Sequence, residues 1–364
     1  MGLLGAEVEY LDEHTLAVRG GLHPRSGVLA VGESGLAARL FTPLAALCSE
    51  RIRIVGERSL LQRPMRMMTE PLRLLGADVA DSDGCLPLEV RGPLRGGTVR
   101  VDGSVSSQFI TGLLLALPAA AGESILHVDH AVSTPYLDMT VDTAARFGVE
   151  ICHNDYAEFY IPGGQRYRGT DFPIEGDWSA AAMLLVAGAT AGEVSVRNVS
   201  VLSKQADTAV CEALVRAGAA VIDEPHAVTA SARALRAFEF DATHCPDLFP
   251  ALAALAAAAE GVSTLRGTSR LRHKECDRAE AIREEYGKLG IEVDLSEEDV
   301  MRIRGGEIRP AVVQSHGDHR MAMSLAVAAL RASGPVRIEG AECVAKTDAH
   351  FFGDREKIHA RTGS

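Results

Sequence analysis

One short phrase returns five times along the chain, and its spacing constrains the fold more than any other feature. "LLGAEV" surrounds Gly5, "LLGADV" Gly76, "RFGVEI" Gly148, "RAGAAV" Gly218 and "KLGIEV" Gly290, so the glycines stand 71, 72, 70 and 72 residues apart. In each phrase a helix ends at glycine, which takes a left-handed cap without steric cost, and a short strand follows at once. A second phrase keeps the same beat: a glycine or small polar cap, then an apolar helix. It reads "GESGLAARLFTPLAAL", "GSVSSQFITGLLLALP", "GDWSAAAMLLVAGA", "PDLFPALAALAAAA" and "GDHRMAMSLAVAAL", with strands such as "SILHV" and "VSVRNV" behind it. The unit is therefore strand, helix, strand, helix, strand, strand. Regular βαβαββ units predict an α/β (α+β) fold made by stacking them. Because the first phrase sits at Gly5, the chain is expected to open at the tail of a unit. Four full units and a nearly full last one, from about residue 317, are expected after it.

At 364 residues and 47% hydrophobic the chain exceeds the usual size of one domain. Two are expected: residues 1–174, with the leading remnant and two units, and residues 175–364. They should meet near "DFPIEGDW", residues 171–178. The apolar runs at 109–121, 180–191 and 251–259 are too short to span a membrane and are rich in Ala and Gly, as tightly packed buried helices are. The start "MGLLGAEVEY" has neither a basic n-region nor a long apolar core, so no targeting signal is expected. Seven cysteines without a Cys-x-x-Cys pair predict reduced thiols and a cytoplasmic protein. A net charge of −12 with no basic, aromatic-interleaved stripe argues against nucleic acid as a partner.

Against that acidic balance, "SRLRHKECDRAEAIREEYGKLGIEV" (269–293) gathers four arginines, a histidine and two lysines. Ala279, Ile282, Tyr286 and Leu289 form one apolar stripe and predict a helix stopped by Gly290. Four residues back, the stripe lands on Glu275. An acid is thus expected on the inward line of the first turn, with Lys274 and Arg278 as an i, i+4 pair beside it. Several first helices whose N-termini converge on one cleft would make an anion site. Arg39, Ser106, Ser107, Asp247, Asp318, His319 and Arg320 lie near such helix starts, although Ser106 and Asp318 also read as ordinary N-caps and Arg39 as a surface arginine.

Eight ordered motifs carry a resemblance over nearly the whole chain: "LLQRPM", "SVSSQF", "STPYLDMT", "GDWSAA", "CPDLFPALAALA", "RHKECDR", "GDHRMAMS" and "KTDAHFF". Together they resemble the 5-enolpyruvylshikimate-3-phosphate synthase family. The resemblance implies two inside-out α/β domains of repeated units. It implies transfer of the enolpyruvyl group of phosphoenolpyruvate to the 5-hydroxyl of shikimate 3-phosphate, with release of phosphate and no metal or organic cofactor. It places Arg63, Arg278 and Arg320 on the phosphoenolpyruvate anions, with Gly35 in the matching glycine pattern and Lys346 near the leaving phosphate. Ser106, Ser107, Gln108, Ser133 and Tyr136 would hold shikimate 3-phosphate. Asp247 with Lys274 would take the 5-hydroxyl proton, and Glu275 would exchange protons with the methylene carbon. A monomer is implied for the complete protein.

The chain departs from the family's pattern in four places. Glu33 and Leu36 replace Asn and Thr in "GESGLAARL", Arg270 stands where some members carry Asn, and "KTDAHFF" has no proline after its lysine. The family's early Lys-Ser-x-x-x-Arg motif is not in this sequence, so little turnover is expected of the chain as written. The alternatives are a non-catalytic anion-binding fragment and UDP-N-acetylglucosamine enolpyruvyl transferase, whose cysteine-bearing loop is not visible here.

Overall fold

The computed structural model describes residues 1–272, 274–348 and 351–353; His273 of "RHKECDR" and Ala349 and His350 of "KTDAHFF" lie outside them. The chain divides into two compact units, Met1–Asp171 and the residues from Phe172 onward.

The first unit opens with a hairpin, β1 (Glu7–Tyr10) and β2 (Leu16–Arg19), paired antiparallel with almost every residue exposed. Two complete repeats follow. The first runs β3 (Val28–Ala30), α1 (Gly35–Ala45), β4 (Ile52–Val55), α2 (Arg66–Leu74), β5 (Asp78–Ser82) and β6 (Cys85–Arg91). The second runs β7 (Gly97–Asp102), α3 (Ser107–Ala116), β8 (Ser124–Asp129), α4 (Thr134–Arg146), β9 (Cys152–Asn154) and β10 (Glu158–Ile161). Their sheets have the same topology, β3-β4-β6-β5 and β7-β8-β10-β9, each with one parallel pair and two antiparallel pairs. One face of each sheet is buried. On β6, Leu86, Leu88 and Val90 point into the core while Pro87, Glu89 and Arg91 alternate outward, as the period of two requires. The helices α1 and α3 pack closely because Gly112 has no side chain: a Cβ there would lie 2.2 Å from the Arg39 carbonyl oxygen.

The second unit starts with α5 (Trp178–Ala191), β11 (Glu193–Arg197), α6 (Val210–Ala217), β12 (Ala220–Glu224) and β13 (Ala227–Ser231). A complete repeat comes next: β14 (Glu239–Asp241), α7 (Phe249–Ala257), β15 (Val262–Arg266), α8 (Arg278–Lys288), β16 (Glu292–Asp294) and β17 (Val300–Arg304). The chain then runs through β18 (Val312–Gln314), α9 (His319–Ala328), β19 (Arg337–Glu339) and a 3-10 turn, Ala341–Lys346. The helices α5, α7 and α9 pack on one another, and every residue of α7 is buried. Five of the nine residues of α7 are alanine, which lets the helix axes approach.

All five phrase glycines sit in the left-handed region, with φ of 110°, 99°, 78°, 92° and 85° at Gly5, Gly76, Gly148, Gly218 and Gly290. The βαβαββ period is therefore a physical joint. Two expectations change. The repeat that begins the second unit has a three-stranded sheet, β11-β13-β12, so three repeats rather than four are complete among the described residues. Residues 165–177, ahead of α5, form no strand. Helix α8 starts at Arg278, with Asp277 as its N-cap, so Glu275 lies in the turn before the helix. The inward line of its first turn is held by Arg278, and Ala279 is only half-buried. No helix among the described residues is long and apolar enough to cross a membrane.

Candidate active site

In the second unit the starts of α5, α7 and α9 carry acids, as does that of α8 with its cap Asp277. Asp177 caps α5 by accepting from the Ser179 N–H at 2.8 Å, and Asp318 caps α9 by accepting from the Arg320 N–H at 2.9 Å. Asp247 sits in the 3-10 turn Pro246–Leu248 that leads into α7. Carboxylates at these positions are favoured by the positive end of the helix dipole.

Arg278 ties them together. Its side chain is 1% exposed, and its guanidinium donates to three carboxylates. The Nε–H reaches Asp318 Oδ2 at 2.6 Å, Nη1 reaches Asp247 Oδ1 at 2.6 Å, and Nη2 reaches Glu275 Oε2 at 2.8 Å. Three acids on one cation would leave excess negative charge. Further cations offset it: Lys274 Nζ is 3.0 Å from Asp247 Oδ1, Lys346 Nζ is 3.4 Å from Glu275 Oε1, and Arg320 Nη2 is 3.6 Å from Asp247 Oδ2. Burial works against the charged form of Asp247, yet Lys274, Arg320 and Arg278 outweigh it and hold the carboxyl well below its usual range. Burial lowers Lys274 and Arg278 adds to the effect, while Asp247 opposes it. Burial, with Arg320 beside it, pushes His319 down to about 4, so its imidazole is neutral near pH 7.

In the first unit Gly35 opens α1 behind the cap Ser34. A Cβ on Gly35 would lie 3.0 Å from Arg63 Nη1, so the absent side chain gives that guanidinium its room, while at 3.7 Å from Arg39 Nη1 it would be in ordinary contact. Arg39 donates from Nη1 to Gln108 Oε1 at 2.8 Å and lies over the Phe109 ring, 4.5 Å from its centroid. It is a buried member of the site rather than a surface arginine. Ser106 caps α3, accepting from the Gln108 N–H at 3.3 Å, and Ser107 is buried behind it. Ser133, buried and left-handed at φ 52°, opens α4, with Tyr136 in the first turn donating its N–H to the Ser133 carbonyl at 3.0 Å.

Each unit thus gathers its own group. The second holds Asp247, Lys274, Glu275, Arg278, Arg320 and Lys346; the first holds Gly35, Arg63 and Gln108 with Arg39, next to the helix starts that carry Ser106, Ser107, Ser133 and Tyr136.

Two residues of this region were not foreseen from the sequence. Glu285, fully buried on α8, accepts from the Gln314 N–H at 2.8 Å and pairs with Lys288 Nζ at 2.8 Å and His316 Nε2 at 2.6 Å. It fastens α8 to the turn that presents Asp318 and Arg320. The only hint in the sequence is that Glu285 falls one residue from Tyr286 on the buried stripe. Asp207, also fully buried, gave no signal beyond its charge. Among the described residues, Glu284, Glu285 and His316 bring three metal-type ligand atoms within 4.8 Å of one another. The Lys288 ammonium bonds both glutamates there, at 2.9 and 2.8 Å, and supplies the positive charge itself.

Comparison with known proteins bears on the family and the fold. The family described as EPSP synthase (3-phosphoshikimate 1-carboxyvinyltransferase) matches residues 1–354. The 3-phosphoshikimate 1-carboxyvinyltransferase of Thermococcus kodakarensis is 40% identical over 336 residues, which cover 92% of this chain and 82% of the relative. That of Aeropyrum pernix is 37% identical over 366 residues, covering 99% of this chain and 84% of the relative. A solved structure of EPSP synthase from Acinetobacter baumannii superposes with a TM-score of 0.80 at 27% identity, covering 98% of this chain and 85% of that one. On the fold, the ordered motifs and these matches, the chain belongs to the EPSP synthase (3-phosphoshikimate 1-carboxyvinyltransferase) family.

Proposed function

We propose that the chain transfers the enolpyruvyl group of phosphoenolpyruvate to the 5-hydroxyl of shikimate 3-phosphate, releasing phosphate. The observation that carries this reading is the interleaving of Lys274, Arg278, Arg320 and Lys346 with Asp247 and Glu275 around three helix starts. Cations of this kind recognise a carboxylate and a phosphate, and guanidinium forks suit both. Asp247, assisted by Lys274, accepts the 5-hydroxyl proton as that oxygen bonds to C2 of phosphoenolpyruvate, while Glu275 protonates the methylene carbon. The same carbon then returns a proton as the C2–O bond to phosphate breaks. A carboxylate held as low as Asp247 is a weak base, and a ligand anion that engages Arg320 draws off one of the cations lowering it. Arg278 meets the ligand by exchanging one of its carboxylates. The residues of the first unit, Ser106, Ser107, Gln108, Ser133 and Tyr136, hold shikimate 3-phosphate, and Gly35 and Arg63 serve phosphoenolpyruvate. The chemistry draws on no metal or organic cofactor. We read a cytoplasmic protein, the compartment that keeps seven free thiols reduced, and a monomer.

Phosphate should appear, at the low rate expected of a chain without the Lys-Ser-x-x-x-Arg motif, when both substrates are supplied and not with either alone; its absence with both overturns the reading. Arg320→Ala or Arg63→Ala should weaken phosphoenolpyruvate by roughly 1.5–3 kcal/mol, the worth of a charged hydrogen bond, and shikimate 3-phosphate far less. Calorimetric titration of each ligand checks this, and equal losses for both contradict it. Gly35→Ala should leave stability unchanged, because the atom it meets is the free end of the Arg63 side chain. It should nevertheless raise KM for phosphoenolpyruvate by displacing that guanidinium, at less than the roughly 1.5–3 kcal/mol of losing the bond.

A further inference from the structure

Asp207 lies in the 3-10 turn Ala206–Ala209 that leads into α6, with no exposure. Its Oδ2 accepts from the Ser179 hydroxyl, and its Oδ1 has no hydrogen-bond partner among the described residues. A fully buried carboxylate oxygen without a donor is costly as an ion, since nothing replaces the water it gave up. The charged and titratable groups that face it come from three elements. Helix α5 contributes Asp177, the turn before α7 contributes Asp247 and Cys245, and α9 contributes Arg320. Burial pushes the Cys245 thiol up, so it stays neutral. Arg320 is therefore the cation of this group, and it is shared: its Nη2 also lies 3.6 Å from Asp247 Oδ2.

We propose that Asp207 is a positioning residue for the anion site, taking one proton from solvent when an anionic ligand engages Arg320. The neutral acid then spares Asp247, which remains the carboxylate that acts as base. The inference rests on reading Arg320 as a phosphoenolpyruvate contact. Its physical basis is a competition for one guanidinium. A ligand anion satisfies Arg320 and adds negative charge nearby, and the carboxylate with one unbonded oxygen and, among the described residues, no paired cation of its own is the group that yields. Asp247 keeps Lys274 and Arg278 and does not. Two adjacent carboxyls pushed apart in this way divide the roles of proton holder and base. In the ligand-free protein Asp207 already stands poised: burial, followed by Asp247, pushes it up to about 6, with Arg320 opposing.

The sign of the linkage follows. If the ligand raises the Asp207 pKa, the ligand binds best where Asp207 is protonated, and affinity falls as pH rises from about 6 toward 8. The test is carboxyl-carbon NMR of protein labelled in aspartate, titrated from pH 4 to 8 without ligand and with saturating phosphoenolpyruvate alone, so that no turnover occurs. The Asp207 resonance is identified by its loss in Asp207→Asn. Its midpoint should lie near 6 and move upward with ligand, while Asp247 stays ionised. From pH 6 to 8 the affinity of the parent protein should fall about fivefold more than that of Asp207→Asn, which is what one pKa unit of coupling gives from a free midpoint near 6. The ligand's own phosphate titrates alike in both proteins and cancels. A midpoint unmoved by bound phosphoenolpyruvate overturns the inference and leaves the reading of the site intact. Failure of phosphoenolpyruvate to bind at any pH overturns both. If Asp207→Asn does not fold, Ser179→Ala, which removes the donor to Oδ2, identifies the resonance and the parent titrations decide.

Discussion

Arg278→Met should destabilise the second unit by about 3–5 kcal/mol, the cost of leaving buried charges without their partner. Methionine fills much of the same volume, so the loss is electrostatic. Asp318 is fully buried and would keep the Arg320 N–H and the weak Cys276 thiol donor but no cation at short range, while Asp247 and Glu275 would each lose their shortest cation contact. Denaturant unfolding followed by the fluorescence of Trp178, the single tryptophan and buried in the same unit, reads this directly. A loss below 1 kcal/mol would mean that the three acids do not depend on Arg278. The pH dependence has a definite sign. Asp247 is depressed in the folded state, so its contribution is present above the unfolded carboxylate value of about 3.9 and is lost only as pH falls through a much lower folded value. The parent should therefore keep this network into strongly acidic solution.

Glu275→Gln should keep both substrates bound and lower turnover by roughly 10²–10⁴-fold, the usual worth of a general acid or base. The amide oxygen can still accept from Arg278, and the side chain keeps its shape, so binding and stability should change little. What it cannot do is deliver a proton to carbon and take one back. Stopped-flow phosphate release alongside calorimetry separates the two effects. Turnover within a few-fold of the parent would remove Glu275 from the chemistry, and loss of binding without loss of turnover at saturation would make it a ligand contact instead.

The joints of the fold were legible because they depend on local physics. A left-handed residue wants glycine wherever it occurs, and five such glycines at a regular interval marked the helix-to-strand turns before any coordinate was known. The start of α8 was not legible in the same way. An apolar stripe gives a helix its face but not its first residue, and the inward position belonged to Arg278, a cation that can be buried only because Asp247 and Asp318, distant in sequence, meet it. Asp207 and Glu285 share that difficulty. Their partners, Ser179 on a different helix and Gln314 and His316 in the following repeat, lie 28 to 31 residues away, and no spacing along the chain announces them.

The sheets and the helices of the second unit stand in different relations to the repeats. Each sheet is built from strands of its own repeat, whereas α5, α7 and α9 come from three repeats and share one core. Most strand positions answer chiefly to their own repeat, Gln314 of β18 with its bond to Glu285 of α8 being an exception, so the sheets tolerate more change. A substitution in α7, where no residue reaches the surface, is judged by three repeats at once and survives only with a matching change in a neighbour. Copies of one ancestral segment would thus diverge from the outside inward, with the alanine-rich helices changing last.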